Sequence, residues 1–239
     1  ADGEQLPPEW PVSGTTGYEF IAALSDALVD GDNMATLSQA YEEVLGRTVD
    51  MANELRAAKL LMSGRNFEGE FNTLLRLSLD IATAEDAALD ETAMSTALRE
   101  LLVAFPVYRT YGTDEGLTPA DDALLQNVVD SVKAPGTLPD PEALDFLQRI
   151  LTGELEDSTA DNVLVFRTRF QQLTGPLMAK SVEDTLFFRQ HMALALNEVG
   201  SEPLPRPYAL SAFHKEMQTR RERQPDALST TSTHDTKRG

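Results

Sequence analysis

Apolar residues recur at spacings of three and four along most of the chain after residue 20, and this period constrains the fold more than any other feature. The pattern is typical of amphipathic α-helices that bury one face. Capping residues lie where such helices need to begin, among them Asp90 before residues 91–105 and Thr118 before Pro119. The sequence therefore predicts a mainly α-helical chain of roughly nine or ten helices.

Glycines, prolines and capping side chains set the predicted helix boundaries. Gly175 and Pro176 are expected to break one helix and begin the next. The predicted helices cover residues 34–45, 48–62, 66–82, 91–105, 119–133, 141–152, 161–173, 176–199 and 211–223.

The two ends of the chain differ in residue pattern from its helical middle. Residues 10–20 and 228–234 have the composition of strand and loop. Proline- and glycine-containing loops at residues 112–119 and 134–141 are candidate boundaries within the middle. The sequence thus predicts four parts: terminal segments 1–20 and 228–239, and two helical subdomains at 21–115 and 116–227.

Composition excludes several classes of function. The chain has 39 acidic and 20 basic residues, a formal net charge of −19, and no cysteine. Such a charge disfavours nucleic acid and anionic lipid as partners, and the absence of cysteine removes thiolate metal sites and cysteine nucleophiles. No apolar run approaches a membrane span of about 20 residues, and residues 1–4 are unlike a signal peptide, which predicts a cytoplasmic protein. The three histidines lack metal-ligand spacing, so no metal or cofactor is expected.

Two polar segments are candidates for an active site. A run of serines and threonines leads to the adjacent imidazole and carboxylate of His234 and Asp235, a pattern suited to the end of a barrel strand. A frayed polar tail remains the alternative. Residues 6–20 combine Trp10 and Tyr18, whose flat faces can stack on sugar rings, with a turn whose glycines let the backbone approach a ligand closely. A structured loop that caps a core is the alternative there.

A third candidate is the basic and amide-rich block at residues 167–189. Lys180, Glu183 and Asp184 share one helix face at helical spacing, and such a face can grip sugar hydroxyls. A set of surface salt bridges is the alternative interpretation.

Five blocks in order, at residues 6–20, 105–111, 169–189, 197–200 and 231–238, resemble maltooligosyl trehalose synthases. That family belongs to the α-amylase superfamily, glycoside hydrolase family 13. The resemblance implies a (β/α)8 barrel interrupted by a large helical insertion. Segment 1–20 would belong to the sixth barrel strand and segment 228–239 to the seventh, with the helices between them forming the insertion.

The resemblance also implies an activity. Members of the family isomerise the reducing-end α-1,4 linkage of a maltooligosaccharide to an α,α-1,1 linkage, in cooperation with a trehalose-releasing hydrolase and without a cofactor. Asp235 matches the carboxylate that stabilises the transition state, and His234 matches the imidazole beside it. The substrate-binding candidates are Lys180, Glu183, Tyr18, Trp10, Arg169, Lys237 and Arg238.

The nucleophile and the acid/base of the superfamily are expected before residue 1. The chain is therefore expected to be an internal part of the enzyme, inactive by itself. The alternative is a freestanding acidic helical module that binds a partner without catalysis. A hydrolase of the same superfamily is a third possibility, because it would share the His-Asp pair.

Overall fold

The computed structural model describes residues 10–156, 159–201 and 207–237. These ranges contain nine α-helices and no β-strand, which confirms the prediction of a mainly α chain. The α-helices are α1 Tyr18–Leu28, α2 Met34–Leu45, α3 Met51–Gly64, α4 Glu68–Ala84, α5 Glu91–Ala104, α6 Pro119–Lys133, α7 Pro141–Thr152, α8 Ala160–Ser181 and α9 Leu210–Arg223. Shorter elements are 3-10 helices at Gly31–Asn33 and Leu194–Leu196 and a π-helix at Val182–Leu186.

Three of the predicted caps, Asp90, Thr118 and Asp140, act as the sequence predicts, whereas Asn33 before α2 makes no side-chain capping bond. Asp90 accepts hydrogen bonds from the first amides of α5, Thr118 from the amide of Asp121 in α6, and Asp140 from the first turn of α7. Gly153 ends α7 in the left-handed conformation that glycine adopts without strain. Short-range chemistry is therefore enough to fix these helix ends.

Helix α8 contradicts one prediction, because it continues through Gly175 and Pro176 to Ser181. A proline inside a helix removes one backbone hydrogen bond and costs about 3 kcal/mol relative to alanine. Phe170 and Leu177, which lie before and after Gly175 and Pro176 in α8, are both almost fully buried. The burial of this helix offsets the local cost.

The long helix predicted at residues 176–199 is also wrong. After Ser181 the chain forms the π-helix and then an irregular segment that contains the second 3-10 helix. The side-chain amide of Asn197 donates to the carbonyl oxygens of Phe187 (3.0 Å) and Gln190 (2.8 Å). These bonds satisfy backbone groups that a continuous helix would have paired, so the irregular path keeps its polar groups bonded.

Both terminal segments lack the predicted strand conformation in their described residues. Tyr18 begins α1 inside the segment expected to be strand-like, and residues 228–237 form loop and turn. A strand is stable when neighbouring strands pair with it, and the described residues provide no sheet. One backbone bond does join the two segments: Leu228 N donates to Thr15 O at 3.1 Å.

The chain divides into two compact units, one drawn from Ala1–Leu55 and Val182–Gly239 and the other formed by Arg56–Ser181. The predicted boundary between residues 115 and 116 falls inside the second unit. The loops at 112–119 and 134–141 connect helices that share one core.

In the second unit, α5 packs on α6 and α7, and α4 packs on α8 and α5. One hydrophobic core runs through it from Phe71 to Leu177, with Met94, Leu98, Leu144 and Phe166 fully buried. In the first unit, α1 packs on α9 and on the 3-10 helix Leu194–Leu196.

Candidate functional site

A tight turn presents the predicted His-Asp pair. Thr233 N donates to the hydroxyl of Thr236 (2.9 Å), and Asp235 N donates to the hydroxyl of Thr233 (3.1 Å). Serine and threonine hydroxyls that bond to nearby backbone amides stabilise such turns. His234 is exposed on this turn, and the Asp235 side chain is partly exposed. The threonine-rich run therefore orders a turn where a strand end was predicted.

Lys237 joins the Asp235 carboxylate to a second carboxylate. Its ammonium donates to Asp235 (2.7 Å) and to Asp184 (2.8 Å), and its side chain is only 9% exposed. Burial lowers the pKa of Lys237, but the hydrogen bonds and charges of the two carboxylates outweigh it, so the pKa lies above its ordinary value. The cation of Lys237 is thus fixed between two acids.

The π-helix explains how Asp184 comes to lie in this cluster. The sequence predicts Asp184 on a regular helix face with Lys180 and Glu183, but α8 ends at Ser181 and the π-helix begins at Val182. Residues of a π-helix do not follow the i, i+4 spacing on which the prediction depends. In the structure Asp184 binds Lys237, Glu183 is buried, and Lys180 is exposed near the end of α8.

The glycines of the N-terminal turn approach another part of the chain. A Cβ atom on Gly17 would lie 2.2 Å from the carbonyl oxygen of Leu228, and one on Gly14 would lie 2.6 Å from the Ala227 side chain. Gly17 also has a φ of +91°, which other residues rarely adopt. The sequence predicts that these glycines let the backbone approach a ligand closely. In the structure they let it approach the segment that leads to Asp235.

The remaining candidates are distributed over both units. Trp10 is 40% exposed, and Tyr18 begins α1 in a half-buried position; both lie in the first unit. Arg169 and Lys180 are exposed residues of α8 in the second unit. Arg238 lies outside the described residues. Among the predicted site residues, the structure brings Asp235 and Lys237 into direct contact.

Arg169 lines a shallow groove of about 520 Å³ within the second unit. Its guanidinium lies 3.5 Å from the side-chain oxygen of Gln172. The groove is lined by Phe67, Gly69, Glu70, Thr73, Arg169, Gln172, Leu173 and Pro176. An aromatic ring beside charged, amide and hydroxyl groups is a combination that can contact a sugar.

Gln171 holds the loop at the end of the second block of the resemblance, residues 105–111, together with the adjoining Gly112. Its amide accepts from Gly112 N (2.6 Å) and the Thr110 hydroxyl (3.2 Å) and donates to the Gly112 carbonyl (3.1 Å). On the loop, the guanidinium of Arg109 lies 5.6 Å from the ring of Tyr111, and both side chains are exposed. A surface loop is thus fixed by a buried amide.

Sequence reasoning missed two parts of this arrangement. The sequence places Asp184 within its block, but it does not predict the bond from Lys237, 53 residues away, to this carboxylate. Arg220, which binds the segment before Asp235, was not singled out at all. Nothing in the local sequence marks either contact.

Within residues 10–156, 159–201 and 207–237, no group of histidines and carboxylates could hold a metal ion. In the same ranges no helix has the length and apolar character needed to cross a membrane.

Comparison with known proteins relates nearly the whole chain to one kind of enzyme. A protein of Mycobacterium tuberculosis (strain H37Rv), whose name gives it provisionally as a maltooligosyl trehalose synthase, is 30% identical over 237 residues. The match covers 99% of this chain and 28% of that protein. This chain therefore spans about 28% of the length of the curated relatives that it matches. No protein-family model matches the sequence.

Solved structures agree with that relationship. The maltooligosyltrehalose synthase from Arthrobacter ramosus is 29% identical with a TM-score of 0.76, and the match covers 97% of this chain and 28% of that one. A hypothetical maltooligosyl trehalose synthase from Sulfolobus tokodaii, 23% identical over 97% of this chain and 26% of its own, shares the fold with a TM-score of 0.65. The helical architecture described above is thus that of one part of a larger enzyme.

Proposed function

We propose that this chain, which is homologous over nearly its whole length to a part of the maltooligosyl trehalose synthases, forms the helical insertion and part of the active site of such an enzyme. The complete enzyme isomerises the reducing-end α-1,4 linkage of a maltooligosaccharide to an α,α-1,1 linkage. The observation that carries the proposal is the carboxylate of Asp235, held by Lys237 next to the exposed His234.

In this proposal Asp235 stabilises the positive charge that develops on the sugar during cleavage and re-formation of the linkage. A fixed carboxylate favours an oxocarbenium-like transition state over the neutral substrate. The ammonium of Lys237 fixes the position of the Asp235 carboxylate, and Asp184 fixes Lys237 in turn. His234 donates a hydrogen bond to a sugar hydroxyl at the linkage.

Substrate binding is assigned to exposed and aromatic side chains. Trp10 and Tyr18 stack on pyranose rings. Lys180, Arg169 and Arg238 contact sugar hydroxyls, and for Arg169 the proposal is supported by its place in the groove of the second unit. Glu183 and Lys237 are also candidates from the sequence, but their burial favours a supporting role over direct contact with sugar. The nucleophile and the acid/base belong to parts of the complete enzyme beyond this chain, so the isolated chain is expected to form no isomerised product. A trehalose-releasing hydrolase would consume the product, and the enzyme would work in the cytoplasm.

The alternative of a freestanding binding module has no support from the comparisons, because the relatives and solved structures are all named as synthases. A hydrolase of the same superfamily is distinguished by its products. The complete enzyme should convert maltooligosaccharide to a product with an α,α-1,1 linkage and should release little glucose.

The test is Asp235→Asn in the complete enzyme, with Asp226→Asn as the matched control. Asp226 is an exposed carboxylate nine residues earlier. Because loss of transition-state charge stabilisation costs a factor of about a hundred or more in kcat, Asp235→Asn should lower isomerisation by at least that factor. Asp226→Asn should leave it unchanged. Equal activity of the two variants would overturn the proposal.

A further inference from the structure

The guanidinium of Arg220 uses all three of its nitrogens to connect different parts of the first unit. Nε donates to the Glu19 carboxylate of α1 (3.1 Å), and Nη1 donates to the Ser229 hydroxyl (2.6 Å). Nη2 donates to the carbonyl oxygen of Leu228. One side chain of α9 therefore holds α1 and the segment that leads to Asp235.

The Arg220 side chain is largely buried within the first unit. The Arg220 side chain is 12% exposed, and its charged end lies 5.5 Å from the ring centre of Phe20. An arginine with a carboxylate, a carbonyl and a hydroxyl as acceptors has its fork-shaped donor set well satisfied, whereas lysine has one nitrogen and cannot reach three separate acceptors in the same way. The contacts thus depend on the shape of the side chain as well as on its charge.

The segment from Leu228 to Lys237 is fixed at both ends. At its beginning, Leu228 donates its N–H to Thr15 O and accepts from Arg220. At its end, Lys237 is bound to Asp184 of the π-helix. Between these two anchors, hydroxyl groups of the threonine turn hold the backbone around Asp235. A loop with two fixed ends has fewer conformations open to it than one with a single fixed end.

We propose that Arg220 is a positioning residue for Asp235, acting through Leu228 and Ser229. This inference rests on the proposed function of Asp235. Arg220 does not touch the sugar; it holds the first anchor of the segment, so that the carboxylate meets the developing charge at the right place. Removal of Arg220 leaves the second anchor intact and lets the carboxylate move.

The first measurement uses this chain itself. Amide hydrogen exchange is compared for the native chain, Arg220→Gln and Arg221→Gln, the last being an exposed arginine next in α9. Arg220→Gln should speed exchange of the Leu228 amide and of the amides in residues 229–236, while α4–α8 keep their protection. Arg221→Gln should exchange like the native chain. Unchanged exchange in Arg220→Gln would overturn the inference.

The second measurement uses the complete enzyme and separates positioning from folding. Because a misplacement of about 1 Å can cost on the order of a hundredfold in rate, Arg220→Gln should lower kcat by about tenfold or more with little change in KM. Arg220→Lys, which keeps the charge, should retain a larger part of the native kcat than Arg220→Gln does. Ser229→Ala, a milder change at one of the three acceptors, should lower kcat less than Arg220→Gln does.

A double-mutant cycle completes the test. In the Asp235→Asn background, Arg220→Gln should cost much less than it does in the native enzyme, because the group that it positions is gone. An equal cost in both backgrounds, or a kcat for Arg220→Gln equal to that of Arg221→Gln, would overturn the positioning role. If Asp235→Asn alone kept native activity, the proposed function would fail. That outcome does not depend on any Arg220 variant, so the two proposals are tested separately.

Discussion

Lys237 donates a 2.8 Å hydrogen bond to Asp184, a carboxylate 53 residues earlier in the sequence. The bond connects the His-Asp turn to the π-helix, and Lys237 also binds Asp235. One cation thus lies between two acids and offsets their mutual repulsion.

The first prediction concerns the loss of that cation. Lys237→Met in the complete enzyme should lower kcat by about tenfold or more, because a misplacement of about 1 Å can cost on the order of a hundredfold in rate. Lys215→Met, at an exposed lysine of α9, should have no effect. Steady-state kinetics of the two variants checks the prediction, and native kcat for Lys237→Met would contradict it.

The second prediction concerns the close contact between Gly17 and Leu228. A Cβ on Gly17 would lie 2.2 Å from the Leu228 oxygen, whereas one on Gly46 would meet no atom within 4 Å. Both glycines have positive φ, so alanine at either position carries a similar backbone cost of about 1 kcal/mol. The difference between Gly17→Ala and Gly46→Ala therefore isolates the steric contact.

We expect Gly17→Ala to destabilise the first unit more than Gly46→Ala does and to weaken the bond from Leu228 N to Thr15 O. Hydrogen exchange of the Leu228 amide measures this directly. If both variants exchanged that amide at the same rate, the segments would not be in contact in solution.

The third prediction concerns the pH dependence of stability. Lys59 is 4% exposed, and its ammonium donates to the carbonyl of Phe105 at the end of α5 (2.6 Å). Burial lowers the pKa of Lys59 to about 8 from an ordinary value of 10.5. Between these two values the unfolded chain binds the proton and the folded chain does not, so the free energy of unfolding rises with pH.

The charge on Lys59 thus costs on the order of 3 kcal/mol below pH 8, and this cost disappears as the pH approaches 10.5. Urea unfolding of the native chain and of Lys59→Met across this range should show the rise in the native chain only. Lys215→Met provides the control and should keep the rise. Parallel pH profiles for native chain and Lys59→Met would contradict the assignment.

The fourth prediction concerns the loop held by Gln171. Gln171→Leu removes three hydrogen bonds to Thr110 and Gly112 and leaves the partly buried N–H and carbonyl of Gly112 without those partners. It should destabilise the second unit by about 1–3 kcal/mol and speed exchange of the Gly112 amide. Gln172→Leu changes the exposed neighbour and should do neither. Slow exchange of Gly112 in both variants would show that Gln171 does not hold the loop.

The ends of most helices could be read from the sequence, because a cap acts on amides two or three residues away. Asp90 and Thr118 are examples, and the structure confirms both. The His-Asp pair could also be located, since its two residues are adjacent. Local chemistry was misleading at Pro176, where the burial of α8 outweighs the proline, and at Tyr18, where a helix replaces the expected strand.

Sequence by itself thus determined the helical class of this chain and its main caps, and it singled out Asp235 as a candidate. Tertiary structure alone decided that Lys237 pairs with Asp184 and that Arg220 holds Leu228. The physical reason is the distance along the chain over which each kind of interaction acts. Propensity and capping act within a few residues of the chain, whereas a side chain finds a distant partner only after the apolar faces of the helices have packed and fixed which surfaces meet.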